Sequence, residues 1–172
     1  MKNRAYKNYI FDFYGTLVDI LTDEKDPVLW DKLCQLYQAY GAAYEGETLK
    51  KAYAKRVDQA RKELIDLKGV AYPEIDLAHI FNQLYVDARP QSSNSNQPED
   101  WGQLIAMVFR VLSRKHVTAY PHTKEVLAFL KEQGCRIYLL SNAQAAFTNA
   151  EIDLMALRPY FDAIYLSSDA GI

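Results

Sequence analysis

The chain opens with a short apolar, β-favouring run, Tyr9-Ile10-Phe11-Asp12-Phe13, that stops at Gly15. Its length and the glycine that follows predict a buried strand entering a tight turn. From about Asp26 the period changes. Trp30, Leu33, Leu36, Tyr37 and Tyr40 fall at helical spacing, Pro27 sits where a first helical turn tolerates it, and Gly41 is placed to end the helix. A second helix is predicted from about Thr48 to Leu67, with Leu49, Ala52, Tyr53 and Val57 on one side and Lys50, Lys51, Lys55, Arg56, Arg61 and Lys62 on the other. That basic stripe reads as a solvated helix face with acidic neighbours, or else as a surface that meets an anionic substrate. A third helix is predicted to start near Asp76, with Leu77, Ile80, Phe81, Leu84 and Tyr85 as its apolar positions. The polar, Pro-bounded stretch from Arg89 to Pro98 reads as a loop. A fourth helix, about Glu99 to Ser113, carries the stripe Trp101, Leu104, Ile105, Val108 and Leu112.

After Tyr120-Pro121 the pattern changes again. Thr123 to Gln133 predicts a helix ended by Gly134, and Cys135 to Leu140 a buried strand with Ser141-Asn142 at its carboxyl end. Ala145 to Leu154 can be helical, and Ala163 to Leu166 is another strand. Strand, helical insert, helix, strand, helix, strand is the order of a parallel α/β sheet interrupted early by a helical module.

Composition narrows this picture. The 172 residues suit one domain, or one domain with an insert, and 49% apolar residues are enough for a real core. Lys and Arg (20) nearly balance Asp and Glu (22), so no basic excess points to nucleic acid. No stretch approaches the ~20 apolar residues that span a bilayer, and no secretory signal is legible after the basic Met1-Lys2-Asn3-Arg4. The expectation is a cytoplasmic protein without membrane or nucleic-acid partners. Cys34 and Cys135 lie far apart with no His or Cys at metal-ligand spacing, and read as two buried thiols in a reducing compartment. The 13 tyrosines are scattered, and most are expected to be half-buried rings with wet hydroxyls.

Two polar clusters fall on strand carboxyl ends, where open α/β sheets bind ligands: Asp12 to Thr16, and Ser141-Asn142. A carboxylate at the tip of an apolar strand is costly unless paired, solvated or used. Alone, Asp12 could cap a turn, and Ser141-Asn142 could be an ordinary strand-to-helix turn. In the string Asp12-Phe13-Tyr14-Gly15-Thr16-Leu17, however, the residues follow an Asp-x-x-Gly-Thr-Leu pattern. This is similar to the first motif of the haloacid dehalogenase-like (HAD) superfamily of hydrolases. Leu139-Leu140-Ser141-Asn142 resembles its second motif, and Tyr120-Pro121, Val126, Leu130 and Gly134 the helix leading into it. Tyr160-Phe161-Asp162 and Ser167 to Ile172 resemble the approach to its third.

The resemblance implies a Rossmann-like parallel-sheet core from residues 1–18 and 116–172, with an all-helical cap inserted over residues 19–115. It implies a covalent aspartyl intermediate on Asp12 with a small phosphate ester or haloacid. Backbone N–H groups of the turn at Gly15 and Thr16 would hold the transferred group. Ser141 would hydrogen-bond that group, and Asn142 would orient the neighbouring turn or the substrate. In a phosphatase, Mg²⁺ would bind Asp12 and the backbone carbonyl of Tyr14; a dehalogenase would need no cofactor.

Tyr14 stands where phosphatases of this superfamily usually carry a second, acid–base Asp. A phenol with a reference pKa of about 10 is a poor base at neutral pH. Tyr14 therefore resembles the 2-haloacid dehalogenase branch, whose leaving group needs no proton, and is equally compatible with a degenerate HAD-fold binding protein. Arg56, Arg61, Arg89 and Arg110 are all candidates to meet a substrate carboxylate or halide. The third-motif Lys and the fourth, acidic motif do not occur in the sequence; Lys115, Lys124 and Lys131 do not match by position. The expectation is a chain cut short of both motifs and weak in turnover by itself. In the superfamily the strand bearing the nucleophile is central. Here its far side would be an exposed apolar edge, expected to be covered by a dimer or swapped partner.

Overall fold

A computed structural model describes residues 6–69, 71, 73–89 and 98–170. In chain order the elements are β1 (Asn8–Phe11), β2 (Val18–Thr22), α1 (Pro27–Ala39), α2 (Gly46–Lys68), α3 (Leu77–Ala88), α4 (Trp101–Ser113), β3 (Arg114–Ala119), α5 (Thr123–Glu132), β4 (Arg136–Ser141), α6 (Ala145–Leu154), β5 (Ala163–Leu166) and α7 (Ser167–Ala170). A 3-10 turn at Arg158–Tyr160 precedes β5. The chain divides into two compact units, Met1–Leu21 with Lys115–Ile172, and Thr22–Arg114. The first is α/β and the second is helical.

In the α/β unit a three-stranded parallel sheet has the order β1-β4-β5. The register sets Phe11 beside Leu139 and Ser141 beside Leu166. One sheet face carries the core. Ile137 and Leu139 are fully buried there with Phe13, Val18, Leu127, Ile152 and Leu157. The other face is open: Ile10, Leu140 and Tyr165 are 66%, 57% and 56% exposed. The strands at residues 9–13 and 135–140 are therefore buried on one face only, not on both as the unbroken apolar runs predict. Parallel sheets are ordinarily covered on both faces, and sequence alternation cannot reveal which cover is present. β1 has no strand on its other side among the described residues.

The chain leaves and re-enters this unit through β2 and β3, which form a two-stranded sheet. The Leu17 carbonyl accepts from Tyr120 N–H (3.0 Å), and the Asp19 carboxylate meets His116 Nε2 (3.1 Å). The segment expected to be all-helical thus begins and ends in strand. Asp19, Ile20, Leu21 and Thr22 show no alternation, and the run is too short to separate strand from helix by period.

In the helical unit, α1 starts where Asp26 Oδ1 accepts from Val28 N–H, with Pro27 at its first position. α3 starts at the side chain of Asp76, which accepts from His79 N–H. α3 and α4 approach so closely that a Cβ on Gly102 would lie 2.1 Å from the Ala78 carbonyl oxygen. Trp101 is fully buried among the rings of Tyr37, Tyr40 and Tyr85. The buried stripe of α4 is Trp101, Ile105 and Phe109; Leu104, expected inside, is 42% exposed.

Three tyrosines depart from the wet-hydroxyl pattern: Tyr37, Tyr44 and Tyr85 donate to the carbonyls of Phe81, Leu84 and Tyr40, each at 2.8 Å. Burial pushes the Tyr37 phenol well above its ordinary value, so it stays a donor. Cys34 is buried but Cys135 is only half-buried. The basic face of α2 is paired with acids, Lys51 with Glu47, Lys62 with Asp58 and Arg56 with Asp87. The polar loop at residues 90–97 lies outside the described residues. Among the described residues no helix is long and apolar enough to cross a membrane.

Candidate active site

The site is built where β1 and β4 end. Their register brings both carboxyl ends to the same edge of the sheet, so Asp12 emerges from β1 beside Ser141, the last residue of β4. Asp12 is exposed, whereas Ser141 is 5% exposed. The Ser141 hydroxyl donates to Asp12 Oδ1 at 2.7 Å. A hydrogen bond to an ionised acceptor is roughly twice as strong as one between neutral groups, and this one fixes the carboxylate rotamer. Among the described residues Asp12 Oδ2 makes no side-chain hydrogen bond, and Asp12 as a residue is exposed.

The turn after Asp12 folds back on Phe13. The Phe13 side chain is fully buried, and its carbonyl accepts from the N–H groups of Leu17 (2.9 Å) and Val18 (3.1 Å). Gly15 lies in the left-handed region, φ 76°, which explains a glycine at this point. Its N–H donates to the Val18 carbonyl at 2.8 Å, and that of Thr16 reaches the Phe13 carbonyl at 3.4 Å. Gly15 and Thr16 are both exposed beside Asp12, with their N–H groups turned into the loop.

Tyr14 points elsewhere. Its hydroxyl donates to Glu151 Oε2 at 2.5 Å and lies 3.1 Å from Thr148 Oγ1. Thr148 and Glu151 sit one turn apart on α6 and are 0% and 2% exposed. Neither stood out in the sequence. The available signal was a polar pair at i, i+3 beside the apolar Phe147 and Ile152, on the same face of the helix.

Asn142 is exposed in the loop between β4 and α6. That loop is pinned from the strand-end of β5: Ser167 Oγ accepts from Ala143 N–H (3.0 Å) and Ser168 Oγ from Ala145 N–H (2.7 Å). Of the six residues the sequence singled out, the structure thus joins Asp12 and Ser141 by a hydrogen bond. It sets Gly15, Thr16 and Asn142 on flanking loops and turns Tyr14 towards α6.

Mg²⁺ prefers near-octahedral oxygen ligation, usually through one or two carboxylates together with water. Here the expected donors are one carboxylate, with Oδ1 already bonded to Ser141, and the carbonyl of Tyr14. Among the described residues no three His, Cys, Asp or Glu side chains cluster as a metal site. These donors alone do not make a Mg²⁺ site.

A carboxylate at a parallel-strand tip, bonded to a serine on the neighbouring strand, defines an α/β protein with its site at the strand ends. The family model described as haloacid dehalogenase-like hydrolase matches residues 6–172, and the chain belongs to this family of hydrolases. No curated protein matches it. Similar solved structures include a dehalogenase (18% identity, TM-score 0.46, covering 100% of this chain and 66% of that one). Another is an L-2-haloacid dehalogenase from Xanthobacter autotrophicus (18%, TM-score 0.43, 98% and 59%). A predicted phosphoglycolate phosphatase from Haemophilus somnus 129PT is a third (16%, TM-score 0.42, 94% and 63%). The chain spans 59% to 66% of the length of these three structures.

Proposed function

We propose that Asp12 is the covalent nucleophile of a hydrolase acting on a small haloacid or phosphate ester. The observation that carries this reading is the 2.7 Å bond from Ser141 to Oδ1 of an exposed Asp12. A free carboxylate oxygen attacks the carbon or phosphorus atom, and the bond to the leaving group breaks as the aspartyl ester or acyl phosphate forms. Water then cleaves that intermediate, regenerating the carboxylate. Ser141 holds the nucleophile in one rotamer, and Asn142 lies on the loop that flanks the departing group.

Tyr14 supports the haloacid branch within this reading. Its hydroxyl is bonded to Glu151 and Thr148, and a phenol is a weak substitute for an acid–base carboxylate. Halide leaves as an anion and requires no proton. Released halide and released phosphate, each measured with and without Mg²⁺ on a form that carries the third and fourth motifs, separate the two substrates. The expected outcome is release of one of them that Asp12→Asn abolishes. Release unchanged by that substitution, or none of either with ligand still bound, speaks for a binding protein on the same fold. The open face and edge of β1 remain the proposed seat of a covering partner.

A further inference from the structure

Glu151 is a carboxylate sealed in the core of the α/β unit, 2% exposed, where burial without a partner is costly. Among its partners is the phenol of Tyr14, two residues from the proposed nucleophile. We infer that Glu151 is a positioning and specificity-determining residue of the site, fixing the Tyr14 phenol so that its proton is withheld from a leaving group. This deepens, and rests on, the reading of Asp12 as nucleophile.

A phenol carries one proton. At 2.5 Å that proton is donated to Glu151 Oε2, within the distance range of an O–H bond to a charged oxygen. Thr148 Oγ1, at 3.1 Å, can then donate to the phenol oxygen. A Tyr14 held in this way has no proton to give to an alkoxide, whereas a halide needs none.

The attachment is two-sided. The segment from β4 into α6 grips the turn at Asp12 through Ser141 and at Tyr14 through Thr148 and Glu151. These contacts flank the buried Phe13, whose carbonyl already anchors the turn. Loss of the Glu151 carboxylate frees the phenol while Ser141 still holds Asp12. The nucleophile persists, and the choice of leaving group changes.

The test uses the whole chain with ring-labelled tyrosine. Tyr14→Phe assigns the Tyr14 resonance, and Glu151→Gln is compared with the unsubstituted protein. Three readouts are taken: the Tyr14 resonance, the rate of covalent adduct formation at Asp12 with a 2-haloacid and with an aryl phosphate, and the pH profile of each rate. The expected result is a displaced Tyr14 resonance. With it, the aryl-phosphate rate rises by about ten-fold, the scale of one hydrogen bond, while the haloacid rate, whose leaving group takes no proton, changes little. In a Tyr14→Phe background Glu151→Gln should bring no such gain, because both act through one bond. A purely structural residue would lower both rates together and would add its loss in either background. Unchanged rates and pH profiles in Glu151→Gln, with adduct still forming in the unsubstituted protein, overturn this proposal alone. Absence of any adduct in the unsubstituted protein overturns the nucleophile reading, and this proposal with it. Should Glu151→Gln fail to fold, Thr148→Val provides the same comparison from the other end of the contact.

Discussion

A single hydroxyl decides how Asp12 presents itself. The Ser141 side chain is 5% exposed and its donated bond to Oδ1 is 2.7 Å long, so the carboxylate is held from the buried side. Ser141→Ala should leave the fold intact and cut turnover by about ten- to a hundred-fold, the worth of a hydrogen bond to a charged group. Steady-state kinetics beside a thermal melt would check this; an unaltered kcat/KM would show that the bond does not matter to the reaction. Asp12 and Ser141 were legible in the sequence because each ends an apolar run, and parallel strands deliver their carboxyl ends to one edge. Glu151 and Thr148 were not legible. Each is more than 130 residues from Tyr14, and a Thr and a Glu on a short helix read as solvated positions. Only the packing of α6 turns them inward.

Within the helical unit two helices pack backbone to backbone, where Gly102 of α4 meets Ala78 of α3. A methyl group there would lie 2.1 Å from the Ala78 oxygen, a backbone atom that cannot swing away. Gly102→Ala should therefore destabilise that unit by about 1–3 kcal/mol, the usual cost of overpacking. Denaturant unfolding followed by Trp101 fluorescence measures this, and an equal or higher midpoint would show that α3 and α4 can part without loss. Element type was readable wherever period and caps agreed. Asp26, Asp76 and Pro27 all stand where helix starts require them. The rotation of α4 was less readable. Leu104 and Phe109 are both apolar, and the pattern alone offers either as the inward residue; the ring cluster with Trp30, Tyr53 and Phe81 selects Phe109. The strands β2 and β3 were hidden because five or six residues are too few to display a period.

At the scale of the molecule, one ionised side chain ties the sheet to its neighbours. Asp162 Oδ2 accepts from the Ile137 N–H of β4 (2.7 Å) and from Lys131 of α5 (2.9 Å). The backbone donor chiefly, and Lys131 after it, hold its carboxyl below the ordinary value of 3.8. A carboxyl depressed in the folded state binds fewer protons than in the unfolded chain. Its contribution is therefore complete above the ordinary value and is lost as pH falls through the folded one. Between about pH 5 and about pH 2 the melting temperature should drop less steeply for Asp162→Asn than for the unsubstituted chain. Parallel acid titrations of the melt would show it, and superimposable curves would remove Asp162 from the account. The general architecture, a parallel α/β unit interrupted by helices, was legible from the order of periods. The open sheet face at Ile10, Leu140 and Tyr165 was not, because what covers a strand is set by elements distant in sequence.

The nucleophile reading meets its most direct test in mass spectrometry of the intact chain, followed by peptide mapping, after incubation with a 2-haloacid and, separately, with a phosphoryl donor and Mg²⁺. One of the two reagents should leave an adduct on the peptide that contains Asp12, absent from Asp12→Asn and diminished in Ser141→Ala. An adduct on any other residue, or none from either reagent, would contradict the assignment of Asp12 as the group that attacks.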